Sequence, residues 1–445
     1  MQPLFSHSQA LPPHYWLVNA SVPPALLEGL DRTAAPVALL VDQGHIAAIE
    51  RRPTTEAAQF DLDGATVLTR FVDPHVHLDK GDLLAMGLQP ADTLMDAVAA
   101  ARADYVQWTE DELRQRIDFG LRTALAHGTR ALNTYCDWSE PDGPLAWQVL
   151  QASRDTWRGR IELLLTALVD VADFAQEDKA SIISHAVAAG GGRLGLFVYP
   201  GADPRALRRA FECAARHGLA MDIHADEHLD PPVTQLDLIA ELAREFGLGA
   251  RTVCSHACVL QMLAASERNR VLDAVAEAGV SLVCLPYTNL YLQDSARTPN
   301  GDRATPRRRG ILPVHEARSR GIPLAFGSDN HRDPFFPGGD LDPLQLLALA
   351  TLTAQIDAPL RDWVDTITSS PARFLGLAWD GVLRPGAPAD LVIHPGRNSA
   401  EVLGRVASGR RVLRAGQPLA ATEARLPDFR ELDAPRQARA HRTMA

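Results

Sequence analysis

Residues 109–136 read TEDELRQRIDFGLRTALAHGTRALNTYC, and they contain a helix signal followed directly by a strand signal. Thr109 and Glu112 form a capping box, which is typical of the start of a helix. Gly128 is a residue that commonly ends one. Between them, apolar residues recur at helical spacing on one face, namely Leu113, Ile117, Leu121 and Leu125. The apolar run Ala131–Cys136 then reads as a buried strand, so the stretch predicts one helix–strand unit.

The same alternation of short apolar runs and longer amphipathic runs extends from about residue 85 to residue 375. Such alternation is typical of βα units around a parallel sheet. With Phe71–His77 as the first strand and Pro323–Gly327 as the eighth, the count closes a (β/α)8 TIM barrel. The strands between these two are predicted at Ala131–Cys136, Ile161–Leu168, Leu194–Tyr199, Ala220–His224, Thr252–Ser255 and Val280–Leu285.

Both ends of the chain contain short β segments separated by Gly and Pro, which predict one small β-sandwich domain assembled from the two ends. We expect residues 1–69 and 377–418 to form this domain and residues 70–376 to form the barrel. Residues 419–445 are rich in Ala, Arg and Pro, and they predict a tail that is either a surface strap or disordered. The β segments are Tyr15–Asn19, Ala38–Val41, His45–Glu50, Thr66–Leu68, Leu391–His394 and Val402–Leu413.

The composition narrows the class of partner. The 445 residues carry a formal net charge of −11, and 46% of them are hydrophobic. Such a chain can bury a large core, and its acidic balance argues against nucleic acid, so a small-molecule substrate is expected. No apolar run approaches the roughly 18 residues that span a bilayer, and the start lacks the order of a signal peptide. We therefore expect a cytoplasmic location and no membrane partner. The five cysteines are too few and too scattered for a disulfide framework.

The first chemical signal is the pair His75 and His77 at the end of the first predicted strand. Residues i and i+2 of a strand point to the same side, so two imidazoles at this spacing can bind one metal ion. The pattern also occurs by chance on surface strands. The pair alone therefore does not decide between a metal site and a surface strand.

Three further strand ends carry polar residues that metal-assisted hydrolysis uses. His224 ends an apolar strand and Glu227 follows it closely, His256 ends the next strand, and Asp329 follows the eighth. A metal ion lowers the pKa of a bound water, and a carboxylate can carry protons between water, substrate and leaving group. Barrel enzymes place their active sites at the carboxyl ends of the strands. The combined pattern therefore predicts a metal-dependent active site.

These motifs resemble those of the amidohydrolase superfamily, and within it the cytosine deaminase-like branch. The resemblance spans nearly the whole chain. Its motifs are PHVHLD at 74–79, DIHADE at 222–227, NLYLQ at 289–293, RRGI at 308–311, GSD at 327–329, GVLRPG at 381–386 and ADLV at 389–392.

The resemblance also implies a set of roles. One divalent metal ion, zinc or iron, would be bound by His75, His77, His224 and Asp329. Glu227 would shuttle a proton to a ring nitrogen, while His256 and Asp329 would orient and deprotonate the attacking water. No lysine ends the fourth predicted strand, so a two-metal site bridged by a carboxylated lysine is not expected.

Four other positions are expected to bind the substrate. Cytosine deaminases carry a glutamine after the third strand, whereas Asp170 stands at about that place here. An ionised carboxylate only accepts hydrogen bonds, so it favours a substrate edge with two donors. Asn330 replaces a second aspartate of the family, and Leu94 and Phe335 match apolar positions that flank the ring. A shift in alignment would instead put Asp170 in a solvated loop, and packing alone would also explain Leu94 and Phe335.

The implied activity is hydrolytic deamination of a nitrogen heterocycle of the cytosine, isocytosine, pterin or creatinine type, with release of ammonia. One alternative is hydrolysis of an N-alkylaminotriazine, as in N-isopropylammelide hydrolases, but those enzymes lack a glutamate at the position of Glu227. A second activity to weigh is hydrolysis of a cyclic amide, and a third possibility is a non-catalytic barrel that binds a ligand. Relatives often assemble into oligomers, so a homo-oligomer is compatible with the resemblance.

Overall fold

The barrel predicted from the sequence is confirmed. A computed structural model describes residues 10–28, 36–138, 140, 142–297 and 300–432. Eight strands form one parallel sheet in which neighbours follow the order of the chain. A parallel bridge between Val76 and Asp329 joins the first strand to the end of the eighth, so the sheet closes. The strands are Phe71–Val76, Thr129–Asp137, Glu162–Asp170, Arg193–Val198, Met221–Ala225, Thr252–His256, Ser281–Cys284 and Leu324–Phe326.

The helix read from the opening stretch spans Glu110–His127. Thr109 caps it, since its hydroxyl accepts from the backbone N–H of Glu112. The four predicted apolar positions of this helix are all buried. Gly128 follows at φ +103°, a conformation that favours glycine. The other helices are Leu94–Tyr105, Leu145–Trp157, Glu177–Ala189, Pro204–His217, Leu236–Glu245, Ala265–Ala278, Pro286–Leu292, Val314–Ser319, Pro343–Thr353, Ser369–Phe374 and Ser399–Leu403.

The small domain is a β-sandwich to which both ends of the chain contribute, as predicted. Its two four-stranded sheets share one apolar core, in which Tyr15 and Leu39 from the first sheet pack with Leu391 and Leu413 from the second. One sheet contains His14–Ala20, Val37–Asp42, His45–Glu50 and Ala58–Asp61, and the other contains Thr66–Thr69, Leu391–His394, Arg411–Arg414 and Gln417–Pro418.

Two details of this domain differ from the sequence interpretation. The strand Ala58–Asp61 was not predicted, because its largely exposed and partly polar residues lack the alternation of a half-buried strand. The segment Val402–Leu413 is not one β segment. Its start belongs to the helix Ser399–Leu403, which Asn398 caps through the backbone N–H of Glu401, and the strand begins only at Arg411.

The chain divides into two compact units. One comprises Met1–Asp73, Arg122–Ala131 and Leu341–Pro427, and the other comprises Pro74–Leu121, Leu132–Asp340 and Asp428–Ala445. The domain boundaries drawn from the sequence stay a prediction. Of the expected tail, residues 419–432 are described and include the buried Leu432, whereas residues 433–445 lie outside the described residues. Within the described part of the chain, no helix combines the length and apolarity needed to cross a membrane.

Candidate metal centre and active-site cavity

Three imidazoles and one carboxylate come together at the carboxyl ends of the barrel strands. The Nε2 atoms of His75 and His77 lie 3.4 and 3.3 Å from Oδ1 of Asp329. Nε2 of His224 lies 3.4 Å from Nε2 of His77. Two ligands at about 2.1 Å from a tetrahedral metal ion are separated by about 3.4 Å. The four side chains therefore have the spacing of one metal site.

The backbone explains why these side chains meet. The N–H of Asp329 donates to the carbonyl of His75 at 2.7 Å, which joins the two strand ends directly. Asp329 itself has φ +60°, a conformation that is uncommon for non-glycine residues and clusters at functional sites. A Cβ atom at Gly327 would lie 2.9 Å from Cβ of His75, so only glycine allows the eighth strand to approach the first this closely.

The protonation states suit metal binding. Burial lowers the pKa of His77 to about 4 and the pKa of His224 well below its usual range, so both rings are neutral near pH 7 and can offer a lone pair. Burial by itself would raise the pKa of Asp329. Hydrogen bonds from His75 and His77, followed by the charge of His75, outweigh it and hold that pKa well below the usual range. Buried imidazole nitrogens and a carboxylate at these distances fit a divalent metal ion.

The ring of His75 is oriented by neighbours that sequence reasoning left without a role. Oγ of Ser255 lies 2.9 Å from Nδ1 of His75, and this contact directs Nε2 toward Asp329. The ring of Tyr135 lies 4.1 Å from His75 between centroids, and its hydroxyl donates to the buried carboxylate of Asp222. Tyr135 thus forms part of the packing beneath the histidines.

Glu227 and His256 lie together beside this cluster. Oε1 of Glu227 is 3.4 Å from Nδ1 of His256, and the side-chain amide of Asn289 is 2.9 Å from the same nitrogen. Burial, together with the charge of Asp329, raises the pKa of Glu227 well above its usual range. Burial also lowers the pKa of His256 to about 3. A carboxyl group that can hold a proton therefore lies next to a neutral imidazole.

These residues open into a cavity of about 900 Å³. All four residues predicted to contact substrate line it. Oδ1 of Asp170 accepts from the N–H of Ala172 at 3.0 Å, and Nδ2 of Asn330 donates to Asp333 at 2.7 Å. Of the predicted metal and catalytic residues, the cavity wall includes all but the more deeply placed His75. The predicted residues on the wall are His77, Leu94, Asp170, His224, Glu227, His256, Asp329, Asn330 and Phe335.

Lys80, Tyr105 and Asp137 are among the wall residues to which sequence reasoning gave no role in the site. Nζ of Lys80 donates to both carboxylate oxygens of Asp137, at 2.9 and 3.0 Å, and the hydroxyl of Tyr105 donates to the same carboxylate. Burial would lower the pKa of Lys80, but the charges of Asp137 and Asp79 raise it, so the ammonium stays protonated. These residues are far apart in the chain, and no local pattern connects them.

The chain resembles known hydrolases along nearly its whole length. A family model described as "Amidohydrolase family" matches residues 185–420. A pterin deaminase of Rhizobium rhizogenes is 35% identical over 96% of this chain and 99% of its own length. An N-isopropylammelide isopropyl amidohydrolase of Pseudomonas sp. is 23% identical over 75% of this chain and 81% of its own.

A solved structure supports the fold. The 5-methylcytosine deaminase of Klebsiella pneumoniae, liganded with 5-fluorocytosine, superimposes with a TM-score of 0.77 at 24% identity, and the match covers 91% of this chain and 97% of that one. The extent of the pterin deaminase and family matches decides the classification. The chain belongs to the amidohydrolase family.

Proposed function

We propose that this protein is a metal-dependent hydrolase that deaminates a 2-amino-4-oxo nitrogen heterocycle of the pterin class and releases ammonia. The observation that carries the proposal is the convergence of the His75, His77, His224 and Asp329 cluster with Glu227 and His256 on one cavity. The relation to a pterin deaminase over nearly the full length of both chains supports the pterin class within the heterocycles expected from the sequence.

One zinc or iron ion would be held by the three histidines and Asp329. When bound, the metal supplies an activated water as the nucleophile. A histidine and carboxylate donor set suits either ion. A second ion is not part of the proposal, because the fourth barrel strand ends at Val198 and supplies no lysine there.

Side chains of the cavity would transfer the protons that deamination requires. Glu227, whose buried carboxyl can hold a proton, would protonate the ring nitrogen next to the amino-bearing carbon as water adds to that carbon. His256 and Asp329 would orient the water and accept its proton. Return of a proton to the amino group lets the C–N bond break, so that ammonia leaves and a carbonyl remains. Overall, one water is consumed and one ammonia is formed.

The size of the cavity favours a substrate larger than one pyrimidine. The cavity volume, about 900 Å³, lies near the upper end of the usual range for ligand pockets. Asp170 is held at the wall by the N–H of Ala172, and its carboxylate would accept from the amino and ring N–H groups that a 2-amino-4-oxo ring presents side by side. Phe335, which is buried in the wall, would flank the ring.

The test is ammonia release from the metal-loaded protein with pterin, isocytosine, cytosine, creatinine and aminotriazines as substrates. We expect the highest kcat/KM with pterin. Release of isopropylamine from N-isopropylammelide would instead establish N-alkylaminotriazine hydrolysis, which the similarity to the Pseudomonas enzyme keeps open. A mass gain of one water without ammonia would establish cyclic amide hydrolysis. If isopropylamine release or hydration is observed and no ammonia forms, the proposal is contradicted.

A further inference from the structure

Lys80 is a buried cation in the wall of the cavity. Its side chain is only 4% exposed, yet it belongs to the cavity lining. Among the described residues that line the cavity, the only other lysine or arginine is Arg102, which is exposed. The other charged side chains of the wall are acidic. An acceptor oxygen on a ligand would therefore find its strongest buried partner at Lys80.

The position of Lys80 is fixed by neighbouring protein groups. Both oxygens of Asp137 accept from its ammonium, and Tyr105 donates to Asp137 as well. The backbone N–H of Asp137 donates to Asp79 at 3.0 Å, and Asp79 also accepts from the backbone N–H of Lys80 at 2.8 Å. The ammonium is thus held by a connected network rather than by one flexible contact.

One donor of the ammonium is available to a ligand. A lysine ammonium has three N–H groups. Asp137 accepts two hydrogen bonds from it, and no third acceptor is present among the described residues. The ammonium lies 4.6 Å from the centroid of Phe335, the wall residue proposed to flank the ring, and Lys80 follows the metal-cluster residue His77 on the same loop.

The fold by itself gives no reason for this ion pair. A buried ion pair loses hydration, and apolar residues of similar size often stabilise a protein as well or better. A role in ligand binding explains why the pair lies on the cavity wall. The third N–H of Lys80 would meet an oxo group favourably, whereas an amino group at the same place would oppose one donor to another.

We propose that Lys80, held by Asp137 and Tyr105, donates a hydrogen bond to the ring oxo oxygen of the substrate and thereby selects an amino-oxo ring over a diamino ring. This inference rests on the proposed function, because it assumes that the heterocycle binds in this cavity. Lys80 is then a specificity residue, and Asp137 and Tyr105 are positioning residues.

The test compares the affinities of pterin and 2,4-diaminopteridine, which differ in the oxo group. Kd values are measured by calorimetry with zinc-loaded protein in a Glu227→Gln background, so that turnover does not interfere. Lys80→Met should raise the Kd of pterin at least about tenfold, because a hydrogen bond from a charged donor is lost. The Kd of 2,4-diaminopteridine should change much less. Lys80→Arg, which keeps a cationic donor, should restore part of the preference.

Two further variants separate recognition from structure. Arg208→Met removes a cation that pairs with Glu245, and neither residue lines the cavity, so it should leave both Kd values unchanged. Tyr105→Phe keeps both charges of the ion pair and should reduce the preference for pterin by a smaller factor. If Lys80→Met does not fold, an unchanged preference in Tyr105→Phe overturns the proposal.

The remaining outcomes are distinct. An equal rise of both Kd values in Lys80→Met would assign Lys80 a structural role and overturn the proposal. Pterin binding to the otherwise wild-type protein without ammonia release would contradict the proposed function alone, and the Kd ratio would still decide the role of Lys80. Failure of the protein with Lys80 intact to bind either ring would contradict both.

Discussion

Glu227 lets proton transfer be separated from metal binding. Its carboxyl lies 3.4 Å from His256 and is not one of the four residues of the metal cluster. Glu227→Gln keeps the size and burial of the side chain but cannot deliver a proton. We expect unchanged metal content and a fall in kcat of about 10²- to 10⁴-fold. Metal analysis and ammonia release on one preparation test this, and wild-type turnover in the variant would refute the shuttle role.

Ser255 tests whether the orientation of His75 tunes the metal site. Its hydroxyl contacts Nδ1 of His75 at 2.9 Å, so Ser255→Ala should weaken metal affinity about 10- to 100-fold. Ser281→Ala is a matched control, since Ser281 is equally buried but begins the next strand, at the end opposite the cluster. Competition with a chelator measures both affinities. Equal affinities in the two variants would remove Ser255 from the site.

The residues that meet at the cluster could be predicted because each one ends a strand, and the carboxyl ends of barrel strands share one face. His75, His224 and Asp329 are marked in the sequence by the apolar runs before them. Asp137 also ends a strand, but nothing in the sequence connects it with Lys80, which lies in the loop after the first strand. Their pairing is a tertiary contact between residues far apart in the chain, so no local pattern predicts it.

At the scale of one element, Asp342 caps the helix Pro343–Thr353 and also forms a buried ion pair. It accepts from the N–H of Leu344 as the helix cap, and it binds Arg410 through two hydrogen bonds. Burial by itself would raise the pKa of Asp342, but the charge and hydrogen bonds of Arg410 lower it below its usual value. A lowered folded-state pKa stabilises the protein above the unfolded pKa, and that contribution is lost as the pH falls through the folded pKa.

Asp342→Asn keeps the helix cap and removes only the charge. We expect the free energy of unfolding at pH 7 to fall by about 3 kcal/mol, because a buried arginine loses its partner. The difference from wild type should shrink as the pH falls below about 4, where the unfolded aspartate becomes protonated. Denaturant titrations at several pH values measure it. Asp155→Asn, at an exposed ion pair with Arg158, should have no measurable effect, and a pH-independent loss in Asp342→Asn would contradict the assignment.

Elements were predictable where a local pattern matched their burial. The helix Glu110–His127 follows its capping box and apolar face, and most barrel strands contain apolar runs because they are buried. Ala58–Asp61 could not be predicted from its own residues, since an exposed strand at the edge of a sheet needs no apolar pattern. The prediction started the last strand at Val402 rather than at Arg411, because the short helix Ser399–Leu403 also contains apolar residues.

At the scale of the whole molecule, the metal should stabilise the folded chain. The four cluster residues come from the first, fifth and eighth barrel strand ends, and unfolding separates them. A ligand that binds only the folded state adds about 4 kcal/mol of stability when its free concentration is 1,000 times its Kd. Removing the metal with a chelator should therefore lower the unfolding temperature and abolish ammonia release, and adding zinc or iron should restore both.

Asp329→Ala decides whether this stabilisation arises at the proposed cluster. The variant lacks the carboxylate that lies closest to His75 and His77, so it should bind metal weakly, lack activity and show little change in unfolding temperature when metal is added. Ser281→Ala should respond to metal like the wild type. Calorimetric scans with and without metal measure the shift. A full shift in Asp329→Ala would mean that metal stabilises the chain through other residues, and the cluster would lose its place in the proposed function.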